Sequence, residues 1–232
     1  MNTNVMTNIP FTIDRDLLFT HLHTYLHIKP DELYAKDVEN MIEQALKIGK
    51  PKAAYRLAYI ESKGDDFVVV EGIKFTSRIL RVNLEETFKV VPYVLTCGEE
   101  LEEWAKTFNH MLETICANGI MEAIMHSARV HFFAKVEEEY NLDHAVNMNP
   151  GSLEDWPIKE QAPLFQLLGD VKGLIGVELK ESFLMSPIKT VSGFRFSKEG
   201  GYENCQLCPR EKCPGRRVPY DQNLYAEKYQ LK

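Results

Sequence analysis

Residues 111–140, MLETICANGIMEAIMHSARVHFFAKVEEEY, carry the strongest helical pattern in this chain. Apolar side chains recur there at helical spacing, which places them on one face of an α-helix. The members of this face are Met111, Ile115, Ile120, Ile124, Val130, Phe133 and Val136. Cys116 lies in the same segment and is predicted to be a core residue, because a buried free cysteine behaves as a small hydrophobe. The stretch therefore predicts a long helix packed against a sheet.

Strand-like segments stand on both sides of this helix. Residues 88–95, FKVVPYVL, are apolar and rich in β-branched side chains, and residues 183–196, FLMSPIKTVSGFRF, are typical of two short strands joined by a loop. Pro92 cannot donate a ladder hydrogen bond, so its strand is predicted to lie at an edge or to contain a bulge. Because helices and strands do not alternate as in a doubly wound sheet, the fold class is predicted to be α+β.

The N-terminal part of the chain adds two helices and a hairpin to this core. The predicted helices cover residues 14–27 and 31–48, and the predicted hairpin strands cover residues 53–60 and 67–75. We expect residues 1–85 to form a helical and hairpin region of the same domain as the core at 86–200. The remaining residues, 201–232, are rich in cysteine, proline and arginine, and are predicted to form a metal-binding tail.

Composition excludes several classes of function. The chain has 232 residues, a formal net charge of -7 and a pI near 5.6, whereas a general nucleic-acid binder shows a basic face. No apolar run is long enough to span a bilayer, so no membrane association is predicted. Residues 1–10 are polar and lack the apolar core of a signal peptide, which predicts a cytoplasmic, reducing location.

Three of the five cysteines stand near the end of the chain, in the pattern CxxCxxxxC at Cys205, Cys208 and Cys213. Two thiolates separated by two residues can hold one metal from a tight turn, and a third can close most of a tetrahedron. The softness of thiolates favours an iron–sulfur cluster or zinc. The same spacing is also compatible with a redox dithiol or with free thiols that have no special role.

Three thiolates are one ligand short of a closed site, so a fourth ligand is expected from elsewhere. Cys97 is the best candidate, because it precedes a predicted helix whose N-terminus would stabilise a thiolate. Cys116 is the poorer choice, because it lies inside an apolar helix. The arginines at 210, 216 and 217 would offset the charge of several thiolates and help to keep them deprotonated.

A run of short motifs between residues 149 and 197 points to a family. The motifs are Pro150-Gly151, Leu167-Leu168-Gly169, Ile175-Gly176, Leu179, Glu181-Ser182, Met185, Pro187 and Val191-Ser192-Gly193. In this order they resemble the activation domain of cobalamin-dependent methionine synthase. Residues 90–140 resemble it more weakly, through the Thr-x-Gly and Glu-Leu-Glu patterns at 96–102 and through the long helix.

The resemblance implies a twisted antiparallel or mixed sheet packed by long helices. It also implies a domain that covers an oxidised corrinoid and binds S-adenosylmethionine, which supplies the methyl group when cobalt is reduced. The candidate cofactor-binding residues at matching or adjacent positions are Asn147, Pro150, Gly151, Trp156, Glu181, Ser182, Ser192, Gly193 and Tyr202. Trp156 either forms a wall of the ligand cleft or fills the core. Asn147 stands where the family has an arginine and cannot form a charge-assisted fork to a carboxylate, which predicts weak or absent adenosylmethionine binding.

These observations lead to one main hypothesis and two alternatives. The main hypothesis is an accessory protein that docks on a corrinoid-binding protein and supports its reactivation or methyl transfer, with an electron relayed by a cysteine-bound cluster. One alternative is a non-catalytic module that binds a corrinoid protein and holds a structural zinc. The other is an adenosylmethionine-binding component of a methyl-transfer system. The chain lacks the other modules of a complete methionine synthase, and no catalytic residue is predicted.

Overall fold

The computed structural model describes residues 2–26, 33–213 and 216–230, and it has the expected α+β architecture. The helices are α1 (Arg15–Leu26), α2 (Leu33–Ile48), α3 (Arg78–Asn83), α4 (Glu99–Lys106), α5 (Met111–Tyr140), α6 (Gln161–Leu168) and α7 (Val171–Ile175). The strands are β1 (Asn4–Met6), β2 (Lys52–Tyr55), β3 (Ala58–Lys63), β4 (Phe67–Val70), β5 (Ile73–Thr76), β6 (Lys89–Thr96), β7 (Ala145–Met148), β8 (Glu178–Leu179), β9 (Met185–Ser186) and β10 (Thr190–Ser197).

The long helix α5 confirms the prediction for residues 111–140. It begins after His110 and ends at Asn141, which adopts a left-handed conformation that closes the last turn. Cys116 is fully buried, as predicted, and so are Ile120, Ile124 and Val136 of the predicted apolar face. Met111, Ile115 and Val130 are exposed, so the prediction of that face is wrong for these three residues. The predicted packing of helix against sheet is therefore confirmed.

One antiparallel sheet of eight strands organises the molecule. Strand β6 lies at its centre, with β10 along one side and the ends of β2 and β3 along the other. Beyond β10 comes β7, which pairs with no other strand in the described chain and forms an edge. Strands from the first 85 residues thus pair directly with strand β6 of the central region. A separate two-stranded ladder joins β8 to β9.

The two faces of the sheet carry two different cores, because successive side chains of a strand point to opposite faces. In β6, Val91, Tyr93 and Leu95 face the core formed by helices α1, α2, α4 and α5. Val90 and Val94 face the second core, which contains residues of α3, α6 and α7. Because of this alternation, predicted site residues can contact one another only when their side chains lie on the same face of the sheet.

The prediction that Pro92 marks an edge or a bulge is wrong, since β6 is paired on both sides. The carbonyl of Pro92 accepts a hydrogen bond from the amide of Arg56 at 3.3 Å. The N–H and C=O groups of one strand residue point to the same side, so the donor that proline lacks would also face Arg56 and Leu57. Arg56 and Leu57 connect β2 to β3 and belong to neither strand. The missing N–H of Pro92 therefore removes no hydrogen bond from either strand pairing.

The hairpin predicted from strands at 53–60 and 67–75 needs two corrections. The segment at 53–60 is divided into β2 and β3, which are separated by Arg56 and Leu57. The segment predicted as one strand at 67–75 is itself a hairpin, β4 and β5, which turns at Glu71 and Gly72. Both residues have positive φ angles, 47° and 78°, as a tight turn between two antiparallel strands requires. The short helix α3 was not predicted; Ser77 caps it by accepting a hydrogen bond from the amide of Leu80.

The two N-terminal helices are present as predicted over the residues that the structure describes. Helix α1 ends at Leu26 and α2 begins at Leu33, so residue 27 of the first prediction and residues 31–32 of the second lie outside the described residues. Both helices pack against α5 in the first core. Over the ranges 2–26, 33–213 and 216–230, no helix has the length and apolarity needed to cross a membrane.

Candidate functional site

A ring of polar side chains joins β6, β7 and β10 at the sheet edge. The Tyr93 hydroxyl donates a 2.6 Å hydrogen bond to Oδ1 of Asn147, and Asn147 donates a 2.6 Å bond to Oδ1 of Asn149. The Asn149 amide closes the ring with bonds to the Tyr93 hydroxyl at 3.0 Å and to the carbonyl of Ser192 at 2.6 Å. Burial raises the pKa of Tyr93, which therefore stays neutral and acts as a donor. We call these three side chains, Tyr93, Asn147 and Asn149, the polar ring.

The polar ring brings together two of the predicted binding segments. Strand β7 and the loop after it lie beside β10, with Asn147 opposite Arg195 and Met148 opposite Phe194. The strands that carry Asn147 and Ser192 are therefore neighbours. The family resemblance also predicts that the loop at 147–156 and the segment at 181–193 lie side by side and line one cleft, and the cleft stays a prediction. The amide of Asn147 already uses its oxygen and one N–H inside the ring, which leaves it little capacity to hold a ligand.

The glycines predicted to approach a ligand instead approach the chain itself. A Cβ atom at Gly193 would lie 2.3 Å from the carbonyl oxygen of Met148 and 2.7 Å from the amide nitrogen of Asn149. Gly151 has a φ angle of 84°, and its amide donates a 2.7 Å bond to the carbonyl of Trp156. Pro150 is buried beside this turn. These residues therefore shape the loop that carries Asn149.

Two aromatic candidates are buried in the second core. Trp156 is 1% exposed and its ring lies 5.5 Å from that of Phe194, so it is a core residue in this structure. Tyr202 is 8% exposed, and burial raises the pKa of its hydroxyl. Neither the indole N–H of Trp156 nor the hydroxyl of Tyr202 has a hydrogen-bond partner within the described chain.

The remaining candidates, Glu181 and Ser182, lie on the exposed turn between β8 and β9. The turn is closed by a hydrogen bond between the amide of Phe183 and the carbonyl of Lys180. Over the described residues, no hydrogen bond joins Glu181 or Ser182 to the polar ring. The structure therefore does not bring these two candidates together with Asn147 and Ser192.

A stripe of α5 that the sequence analysis did not single out faces this site. Arg129, Phe133 and Glu137 are spaced four residues apart, so they share one side of the helix. The guanidinium of Arg195 lies 4.5 Å from the Phe133 ring and is bound by Glu137, with Nη2 to Oε1 at 2.5 Å. Tyr93 packs edge-on against Phe133 at 5.3 Å, which ties the stripe to the polar ring. Charged residues at helical spacing beside an aromatic were the only signal for this stripe in the sequence.

The tail cysteines lie on a short, half-buried loop that an arginine organises. Cys205 and Cys208 belong to a 3-10 turn that begins at Asn204. The guanidinium of Arg216 donates hydrogen bonds to the carbonyls of Cys205 at 3.0 Å and of Cys208 at 3.2 Å. Cys213 is also half-buried, and the residues that follow it, 214–215, lie outside the described ranges. The backbone of this loop is therefore held by a charged side chain.

The structure does not gather the four predicted metal ligands at one point. Cys97 is buried in the first core, and its thiol donates to the carbonyl of Met121 at 3.4 Å. Tyr202 and Leu207 of the tail pack against the second core, on the other face of the sheet. Burial raises the pKa of Cys97 to about 12, so the helix that follows it does not make it a thiolate. Nowhere in the described ranges do three or more His, Cys, Asp or Glu side chains form a group that could hold a metal. As placed, these residues do not fit a metal, and its presence stays a prediction.

One comparison with known proteins, that with solved structures, identifies the fold. No family model matches the chain, and no curated protein matches it. Among solved structures, the chain is similar to the crystal structure of the MetH reactivation domain bound to AdoHcy, with a TM-score of 0.58 and 15% sequence identity. The match covers 88% of this chain and 80% of that one. The chain thus has the fold of this reactivation domain, as the motifs between residues 149 and 197 predicted.

Proposed function

We propose that this protein is an accessory factor that docks on a corrinoid-binding protein and supports its reductive reactivation or methyl transfer. The observation that carries the proposal is the likeness to the MetH reactivation domain over 88% of the chain. A shared fold alone does not fix a function, so the proposal depends on the site as well. The polar ring supplies a built, partly buried edge where a polar ligand can be bound.

The proposed ligand is an adenosyl thioether of the S-adenosylmethionine class. The similar reactivation domain is bound to AdoHcy, and the polar ring lies on the strands that the sequence resemblance marks as the binding region. Asn147 is committed to Tyr93 and Asn149, so the ring would orient the ligand through backbone groups and through the second side-chain N–H of Asn147. The electron for reactivation is assigned to an external reductant, because the tail cysteines do not form a ligand set.

A reactivation assay tests the proposal directly. The protein is mixed with a corrinoid-binding protein in the cob(II)alamin state, a low-potential reductant and S-adenosylmethionine, and methylcobalamin is followed by visible absorption. We expect formation of methylcobalamin that depends on this protein. If the rate is the same without it while calorimetry also detects no binding of S-adenosylhomocysteine, the proposed function is wrong.

Removing one hydroxyl from the polar ring should weaken ligand binding. In the Tyr93→Phe variant, Asn147 loses its hydrogen-bond donor and Asn149 loses an acceptor, which misplaces both amides. We expect the affinity for S-adenosylhomocysteine to fall about tenfold, as measured by calorimetry. The matched control is Tyr59→Phe, which removes a hydroxyl from an exposed tyrosine and should leave affinity unchanged. Equal affinity in both variants would place the ligand elsewhere.

The predicted metal is tested by element analysis after anaerobic purification. If the tail cysteines bind a metal, as their spacing predicts, the wild-type protein retains iron or zinc and the Cys208→Ser variant loses it, because the CxxC pair is the centre of the predicted ligand set. The control, Cys116→Ser, replaces a cysteine that is fully buried in the first core and should keep the metal. The metal hypothesis is wrong if the Cys208→Ser variant contains as much metal as the wild-type protein. It is also wrong if the wild-type protein contains no metal. Zinc with no ligand binding would instead favour a non-catalytic binding module.

A further inference from the structure

Arg129 lies on the stripe of α5 that faces the polar ring, and it has no hydrogen-bonding partner in the part of the chain that the structure describes. Over the described residues, its guanidinium makes no hydrogen bond and no ion pair, although the side chain is only partly exposed. Its neighbour Arg195 is bound by Glu137, with 14% of the Arg195 side chain exposed. Buried or half-buried charges in proteins are normally paired, because removing a charge from water is costly. An unpaired guanidinium at this position therefore indicates a partner from outside the chain.

The cluster of charged side chains around Arg129 has one more positive charge than negative charges. Tyr93 and Glu203 lie close enough to raise the pKa of Arg129, and Arg217 and Arg195 lie close enough to lower it. Glu203 is already paired with Arg217, and Glu137 with Arg195. Three guanidinium groups thus face two carboxylates. Burial is the main cause of the lowered pKa of Arg129, which shows that its charge is poorly solvated.

The packing of α5 on the sheet places Arg129 on the same side of the helix as the residues that contact the polar ring. Arg129 lies one helical turn before Phe133, and Phe133 contacts both Tyr93 and Arg195. Arg195 stands opposite Asn147 across the β7–β10 ladder. Burial raises the pKa of Tyr93, and the positive charges of Arg129 and Arg195 oppose that rise, which is consistent with their position on the helix side of the ring. Arg129 therefore lies on the face of α5 that packs over the polar ring.

We infer that Arg129, supported by Arg195, is the subsite for a single carboxylate of the ligand bound at the polar ring. The assignment rests on the proposed function, in which that ligand is an adenosyl thioether carrying an amino-acid group. A guanidinium presents two parallel N–H donors that match one carboxylate. A single negative charge balances the cluster, whereas a phosphate dianion would overcompensate it and meet Glu137 and Glu203. The charge that the sequence lacks at Asn147 is thereby supplied by helix α5.

The test compares two ligands that differ in the amino-acid group. S-adenosylhomocysteine carries the carboxylate, and 5′-methylthioadenosine keeps the adenosyl thioether without it. We expect wild-type protein to bind S-adenosylhomocysteine about 10- to 100-fold more tightly, the range of one charge-assisted contact. The Arg129→Met variant should bind both ligands equally, and Arg129→Lys should restore part of the preference. The control, Arg15→Ala, removes an exposed arginine of α1 and should keep the full preference.

A second measurement separates this inference from the proposed function. The midpoint of thermal unfolding is compared in sodium acetate and in sodium chloride at equal ionic strength. We expect a higher midpoint in acetate for wild-type protein and no difference for Arg129→Met. If that holds while S-adenosylhomocysteine does not bind, the subsite stands and the ligand class is wrong. A preference for carboxylate that persists in Arg129→Met, or a wild-type protein that binds both ligands equally, overturns the subsite.

Discussion

Replacing Trp156 by alanine is expected to lower the free energy of unfolding by about 3–5 kcal/mol. The indole is 1% exposed and packs against Phe194, so its removal leaves a large cavity in the second core. Urea unfolding followed by circular dichroism measures the change. Trp156→Phe should cost much less, because it keeps most of the apolar volume and removes an N–H group that has no partner in the described chain.

The exposed aromatic Phe88 provides the matched control. Its side chain is 73% exposed, so Phe88→Ala should change the free energy of unfolding by less than about 0.5 kcal/mol. If Trp156→Ala is as stable as Phe88→Ala but no longer binds S-adenosylhomocysteine, Trp156 forms a wall of the ligand cleft after all. The two variants thus decide between the two roles that the sequence left open.

The second large effect is expected at Gly193. A methyl group there would lie 2.3 Å from the carbonyl oxygen of Met148, a backbone atom that cannot move without separating β7 from β10. We expect Gly193→Ala to cost about 1–3 kcal/mol of stability, as overpacking does. It should also abolish ligand binding at the polar ring, because the same methyl group would lie 2.7 Å from the amide nitrogen of Asn149. Urea unfolding and calorimetry measure the two effects.

Val191→Ala serves as a control on the same strand. Val191 is half-buried, and the change removes volume from the first core without adding an atom near β7. It should therefore lose some stability and retain ligand binding. Were Gly193→Ala to bind S-adenosylhomocysteine as tightly as wild-type protein, the polar ring would not be the ligand site.

The sequence located the long helix because its pattern is local. Away from its two ends, α5 makes its backbone hydrogen bonds within the helix, so spacing alone was enough to predict its bounds at 111–140. The strands were predicted less well, because their partners lie far along the chain. Pro92 illustrates the difference. It is tolerated in a central strand only because the residues opposite it, Arg56 and Leu57, lie between β2 and β3 and outside both strands.

The candidate site was predicted in part for the same reason. The motifs near 147 and 192 did mark two neighbouring strands, and the polar ring joins them. The sequence could not show that the Asn147 amide is used by Tyr93, which is 54 residues away. It also could not show that Arg129 would reach this edge, since that depends on how α5 crosses the sheet.

By itself, the sequence determined the α+β class, the long central helix and the likeness to a reactivation domain, because helical periodicity and short motifs are local properties. The tertiary structure alone decided which side chains share a face. The two-residue alternation of β6 sends Tyr93 to one core and Val94 to the other. Cys97 belongs to the first core, whereas Tyr202 and Leu207 of the tail pack in the second. The same geometry brings Phe133 of α5 against Tyr93 of the polar ring, because residues distant in sequence meet only when helix and sheet pack together.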